Sequence, residues 1–233
     1  VSVRLSWIMA GLAVAILLAG GLWLCPQGAC RIPALDVATA SAVGHGLPPV
    51  SATLLAGLTW LGSLAVLLPL SLATVFMRPQ WPWPRRLFVP AALGAAALLA
   101  HLAKLGFERP RPLLENLVPL PPDASYPSAH AMQITAFALA LLWSSAARPP
   151  PLAWVTAGAF VAVVGFSRVA LNVHFATDVL FGTVAAVCLT CALRGWLVKP
   201  ERRPGETSFL ASASRGITPC ARSATPTPAS GMP

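Results

Sequence analysis

Apolar residues run almost unbroken through six stretches of this 233-residue chain, near 5–24, 54–76, 87–106, 129–147, 152–171 and 175–198, with charges and prolines gathered between them. A hydrocarbon core of roughly 30 Å takes about 20 helical residues to cross, so each stretch is of spanning length. Backbone groups in lipid must be satisfied within the segment, and these runs are far longer than barrel strands, so helices are the expected form. The predicted fold class is all-α: an integral membrane bundle of six transmembrane helices forming one domain over 1–199. After about residue 200, Ser, Thr, Pro and Ala take over with scattered Arg, and 200–233 reads as a disordered cytoplasmic tail.

Composition agrees with the pattern. Apolar residues make up 56% of the chain and charged ones 10%, which excludes an ordinary water-soluble globule. Arg4 ahead of the first run also fits a secretory signal cut near Gly28-Ala29. That run of about twenty residues exceeds the usual 7–15, which favours a retained anchor.

The cations set an orientation. With the N-terminus inside, the cytoplasmic side collects Arg4, Arg78, Arg85, Arg86, Arg148, Arg194, Lys199, Arg202 and Arg203, leaving Arg31, Lys104, Arg109, Arg111 and Arg168 outside. This positive-inside asymmetry predicts both termini in the cytoplasm. The net charge of +9 then reflects topology and anionic headgroups, with no nucleic-acid partner implied.

Between the runs, 25–53 carries several Pro and Gly and reads as an irregular external loop; Cys25 and Cys30 lie in it as a disulfide or as two thiols. Arg78 to Arg86 interleaves cations with Trp81 and Trp83, a mixture suited to the headgroup level. Cys188 and Cys191 sit in an apolar run with no companion ligands and read as core. No grouping of His, Asp, Glu or Cys has metal spacing, so neither metal nor other cofactor is expected.

Three stretches at the ends of apolar runs hold the candidate chemistry. Lys104 and Arg111 are separated by six residues, and Pro110 with Pro112 bends the chain out of the third helix over its mouth. There the two cations can grip one phosphate, Lys as a point charge and Arg as a fork; snorkelling to the interface is the plainer alternative for Lys104. Pro127-Ser128-Ala129-His130 opens the fourth run, with Ser128 as a helix cap, free amides suited to an anion, and His130 as an out-of-place titratable group. Ser167-Arg168 ends the fifth run. His174 and Asp178 follow at a separation of four, which stacks imidazole over carboxylate on one helical face, so that Asp178 fixes one ring nitrogen and turns the other toward a substrate. Charged residues inside membrane segments point to function. His101, one turn before Lys104, either lines the same pocket or packs between helices, and His45 sits in a Gly-rich loop.

Lys104 with Arg111-Pro112, then Pro127-Ser128-Ala129-His130, then Ser167-Arg168 with His174 and Asp178 resembles the signature of the phosphatidic acid phosphatase type 2 superfamily, over residues 104–178. The resemblance implies that His174 is the nucleophile, oriented by Asp178, and that His130 is the general acid. It implies that Lys104, Arg111, Arg168, the Ser128 hydroxyl and the amide of Ala129 hold the phosphoryl oxygens. Position 129 is Ala where the family has Gly, which narrows the pocket or bars a left-handed backbone. Arg109-Pro110 is a second Arg-Pro pair, set aside because Arg111 has the matching spacing; Arg109 is left to assist or to meet headgroups.

The expected protein is thus a bacterial-type inner-membrane lipid phosphatase acting at the outer, periplasmic face through a phosphohistidine. Its partners are membrane lipids and a lipid phosphate substrate, undecaprenyl pyrophosphate first and a phosphatidic-acid-like lipid second. The alternatives are a lipid phosphotransferase using the same site and a non-enzymatic lipid transporter.

Overall fold

The computed structural model describes residues 2–43, 48–112, 118, 120–145 and 149–198. The helices among them are α1 (Val3–Leu24), α2 (Ala34–Val43), α3 (Pro49–Thr59), α4 (Leu64–Met77), α5 (Trp83–Arg86), α6 (Phe88–Phe107), α7 (Ala129–Ser145), α8 (Pro151–Ala170) and α9 (Ala176–Leu197). No strand occurs among the described residues. Among the described residues five spans are long and apolar enough to cross a membrane: Val3–Gly28, Val50–Met77, Phe88–Phe107, Pro151–Ala170 and Ala176–Leu197. The sixth, α7, has 17 residues, about 25 Å of helix. His45 and the tail from 200 onward lie outside the described residues.

Two segments differ from the sequence reading. The second run is two helices, α3 and α4, parted by a 3₁₀ turn at Trp60–Gly62. The break has a local cause: the Ser63 side chain accepts a hydrogen bond from the Val66 amide at 3.3 Å and restarts the helix. It also has a packing cause, because Gly62 lies so close to His130 and Val164 that a Cβ there would stand 2.6 Å from Val164 Cγ1. The segment 25–53, expected to be an irregular external loop, contains α2 and the start of α3. Its prolines stand at or just before helix starts, where a missing N–H costs nothing. Cys25 and Cys30 form a disulfide.

The helices close on one another through small residues. Ala92, Ala96 and Ala100 of α6, Ala136 and Ala140 of α7, and Ala185 and Ala186 of α9 are fully buried in one core. Such residues let backbones approach closely, which matters where lipid gives no hydrophobic drive to helix pairing. α1 lies along α9, while α7 sits among α4, α6, α8 and α9. Trp7, Leu22, Leu105, Leu152 and Val155 are exposed, the surface expected of a bundle solvated by acyl chains. Because α6 to α9 alternate in direction, the end of α6, the start of α7, the end of α8 and the start of α9 meet at one end of the bundle.

Candidate active site

All three sequence stretches converge at that end. Lys104 is in the last turn of α6, buried, with Nζ 3.2 Å from Asp123 Oδ2 and donating to the Ala124 carbonyl. Beyond it Glu108 takes a left-handed conformation (φ 45°), ending the helix and releasing Arg109 to Pro112 as the expected bend. Arg111 Nη2 donates to Asp123 Oδ1 at 2.6 Å, and its Nη1 lies 2.6 Å from the Val173 carbonyl and 3.4 Å from His174 Nε2. Lys104 and Arg111 therefore share one carboxylate. Burial pushes the Asp123 carboxyl up, but Lys104 and Arg111 outweigh it and hold its pKa below the ordinary value.

His174 and Asp178 are together, though not by the geometry expected of them. α9 begins at Ala176, so His174 precedes the helix and Asp178 lies in its first turn. Asp178 Oδ2 accepts the Phe175 amide at 3.0 Å. A carboxylate that bonds back to the residue before the helix draws the preceding turn toward itself, and this turn carries His174. Asn172, in left-handed conformation (φ 58°), and the His174 amide bonded to the Arg168 carbonyl at 3.2 Å complete the reversal from α8. His174 Nδ1 stands 3.7 Å from Asp178 Oδ2, with the Ser125 hydroxyl beside both, 2.5 Å from that oxygen and 3.4 Å from Nδ1. This leaves Nε2 as the nitrogen facing Arg111. Burial lowers the His174 pKa to about 3, against the pull of Asp178 and with the Arg168 charge adding to the lowering, so the ring is neutral at neutral pH.

The remaining predicted residues close the pocket. Arg168 is buried, donates Nη1 to Thr59 Oγ1 at 3.0 Å and leaves Nε without a hydrogen bond among the described residues. Ser128 precedes α7, but its hydroxyl does not cap the helix as expected: it is fully buried and makes no hydrogen bond among the described residues. Its amide is occupied, donating to the Asp178 carbonyl at 3.1 Å. Gly182 permits that approach, since a Cβ there would lie 3.2 Å from the Ser128 carbonyl. Ala129 is the first residue of α7 and is absent from the positive-φ positions, so its methyl meets no left-handed constraint. His130, half-buried in the first turn, feels the charges of Arg168, Lys104 and Arg111. Buried donors lacking partners are costly, and Arg168 stands within range of the Arg111 and Asp123 charges. That is the chemistry of an anion seat.

Arg109 is not a headgroup cation. Its side chain is 1% exposed and divides between Asp178 Oδ1 at 2.5 Å and Asp36 Oδ2 at 2.9 Å. The sequence reading missed Thr59, Asp123 and Ser125, which touch predicted residues, and Asp36 and Thr177, which reach Asp178 through Arg109. His101 is exposed on α6 and lines a cleft of about 440 Å³ that Lys104, Arg111 and Asp123 also line. Among the described residues no three His, Cys, Asp or Glu side chains are grouped to hold a metal.

Comparison with known proteins gives concordant findings. A family model described as the PAP2 superfamily matches residues 86–202. Phosphatidylglycerophosphatase B of Bacillus subtilis is 32% identical over 158 residues, 63% of this chain and 75% of that protein. An undecaprenyl-diphosphatase of Sulfolobus acidocaldarius is 36% identical over 85 residues, 36% of this chain and 38% of that protein. The crystal structure of a transmembrane PAP2-type phosphatidylglycerolphosphate phosphatase from Bacillus subtilis superposes with a TM-score of 0.68 at 26% identity, covering 83% of this chain and 98% of that one.

Proposed function

Since the chain belongs to the PAP2 superfamily of membrane phosphatases, we propose that it releases orthophosphate from a membrane lipid phosphate through a phosphohistidine at His174. The observation that carries this reading is a buried imidazole beside Arg111, at the bundle end that also holds Lys104 and two buried donors, Ser128 Oγ and Arg168 Nε, without partners among the described residues. A cationic cradle already in place costs no reorganisation when charge develops in the transition state.

In the proposed first step, Nε2 of His174 attacks phosphorus and the P–O bond to the lipid breaks. Asp178 supports the positive charge that grows on the ring, and His130, protonated once the bound phosphate dianion offsets the surrounding cations, gives its proton to the departing oxygen. Lys104, Arg111, Arg168, Ser128 and the Ala129 amide hold the phosphoryl oxygens. In the second step water, deprotonated by His130, attacks the phosphohistidine, and the P–N bond breaks to give orthophosphate and free imidazole.

Among substrates, a glycerophospholipid phosphomonoester such as phosphatidylglycerophosphate is favoured by the relative whose likeness extends over 75% of its length. Undecaprenyl pyrophosphate is the second reading, supported by likeness over 38% of the other relative. The site is assigned to the outer face of the inner membrane on the positive-inside distribution. An impermeant thiol reagent then reaches a cysteine introduced at exposed Leu120 and not one at exposed Gln80; the reverse pattern inverts the topology.

Phosphate release by the purified protein from phosphatidylglycerophosphate, phosphatidic acid and undecaprenyl pyrophosphate tests the activity. Acid-labile, alkali-stable labelling by a ³²P-phospholipid, absent in His174→Ala, tests the intermediate. No release from any of the three refutes the assignment, and release without labelling refutes the phosphohistidine. A phosphorylated acceptor lipid in place of free phosphate would make the protein a phosphotransferase.

A further inference from the structure

Asp36 brings the segment between α1 and α3 to the catalytic end through a buried carboxylate. It stands in the first turn of α2, 1% exposed, and binds the start of α9: Oδ1 accepts the Thr177 amide at 2.9 Å and Oδ2 the Thr177 hydroxyl at 2.7 Å. Oδ2 also receives Arg109 Nη2 at 2.9 Å, while Nη1 of the same guanidinium reaches Asp178 Oδ1 at 2.5 Å. The Arg31 carbonyl accepts from Nη2 at 3.2 Å, and the Phe175 ring lies under the guanidinium at 4.2 Å. Arg109 is thus gripped on one side by residues 31–36 and on the other by the carboxylate that faces His174.

A cation placed directly on Asp178 opposes what the proposed mechanism asks of it. The carboxylate is needed to stabilise positive charge growing on the His174 ring, and a bare guanidinium on its other oxygen would cancel much of that field in a site shielded from water. Asp36 offsets the guanidinium. The three groups together carry one negative charge, the same as Asp178 alone, while Asp178 gains a single fixed partner, Arg109 Nη1 on its Oδ1, that holds its orientation.

We propose that Asp36 is a positioning residue for this reaction: through Arg109 it restores the negative charge of Asp178 and aims that carboxylate at His174. The proposal rests on the phosphohistidine reading above. It brings a residue outside the matched region 86–202 into the mechanism. Asp36 touches neither substrate nor His174, so its signature is a loss of turnover without loss of substrate affinity.

The test is steady-state phosphate release from phosphatidylglycerophosphate in detergent micelles by the full chain. Wild type must turn over and His174→Ala must not; activity in His174→Ala sinks the nucleophile assignment and leaves nothing for Asp36 to position. Given that control, Asp36→Asn lowers kcat by about ten- to a hundredfold, the range for lost orientation of a reacting group, with KM within about threefold. The double variant Asp36→Asn/Arg109→Gln returns the cluster to one negative charge and recovers at least about fivefold of kcat over Asp36→Asn. A purely structural role predicts the opposite, because each substitution would add damage. Near-wild-type kcat in Asp36→Asn, or a double variant no faster than the single, overturns the proposal. Should Asp36→Asn fail to fold, the double variant decides alone: at least a tenth of wild-type kcat supports the charge argument, and less rejects it.

Discussion

The two ends of the bundle use arginine in opposite ways. At the catalytic end Arg109 and Arg111 meet carboxylates, Asp36 and Asp178 for the first and Asp123 for the second, while Arg168 keeps one donor unpartnered among the described residues. At the other end Arg85 and Arg86 lie over the rings of Trp81 and Trp83, each at 4.1 Å from guanidinium carbon to ring centre. Arg86 Nε donates to the Val75 carbonyl at 2.7 Å and Arg85 Nη2 to the Ser144 carbonyl at 3.4 Å, closing the last turns of α4 and α7. Both ends are strongly basic, and charge alone does not tell them apart. What separates them is burial with acids at one end, against stacking on indole and capping of helix ends at the other.

Substitutions should divide along the same line. At the catalytic end, His174→Ala is expected to abolish turnover and phosphoenzyme formation. Asp178→Asn, which keeps size and loses charge, is expected to cost on the order of ten-thousand-fold in kcat, the loss seen when a serine-protease histidine loses its aspartate. Steady-state phosphate release measures both, and near-normal activity in either variant would dissolve the distinction between the two ends.

His130→Ala sharpens the division within the pocket. If it supplies the proton to the leaving oxygen, an alkyl phosphate should lose about 10²–10⁴-fold and an activated aryl phosphate much less. A uniform loss across both substrates, with chemistry rate-limiting, would make His130 a phosphate ligand like its cationic neighbours.

A smaller effect comes from pH. The His174 pKa lies at about 3 in the folded protein, below the ordinary 6.5, so the unfolded chain binds the extra proton between those values. The contribution of this ring to stability is therefore flat above about pH 7 and falls below 6.5, by roughly 1.4 kcal/mol per pH unit for one proton. Thermal denaturation from pH 7 to 4.5 should show a shallower decline in His174→Gln than in wild type, and parallel curves would contradict the burial described for this ring.

The least change is expected at the far end. Arg85→Gln and Arg86→Gln should leave kcat within about twofold and lower stability by about 0.5–1 kcal/mol each, the value of an exposed cation–π contact. A hundredfold loss of activity would mean that this end reaches the chemistry after all.

How much of this could be read from the chain follows from where the information lies. Helical runs are legible because the bilayer demands length and continuity, and the three motif stretches are legible because charge is out of place in them. Pairing across distance is not. Ser125, Thr59 and Thr177 are ordinary small polar residues until the fold brings them to Asp178, Arg168 and Asp36. Asp36 did leave a mark, as the sole Asp or Glu before Glu108 in an apolar half-chain, but no motif surrounds it. The break at Trp60–Gly62 was hidden by hydropathy that stays high across it, since the cause is a Ser cap and a close approach to His130. The His174–Asp178 pair was found for an imperfect reason: the spacing of four suits a helical face, whereas the contact is made by a helix start folding back on its own carboxylate.

Asp123 bridges Lys104 and Arg111 at the mouth of the pocket, and it is half exposed. In the proposed mechanism the seat is therefore an ion exchanger: an arriving phosphate displaces a resident carboxylate and, once freed as orthophosphate, is displaced by it in turn. Affinity becomes a difference between two anions, which keeps the empty pocket from holding bare cations and loosens its grip on product. Orthophosphate, lacking an acyl tail to anchor it in the bilayer, is the anion least able to win that exchange.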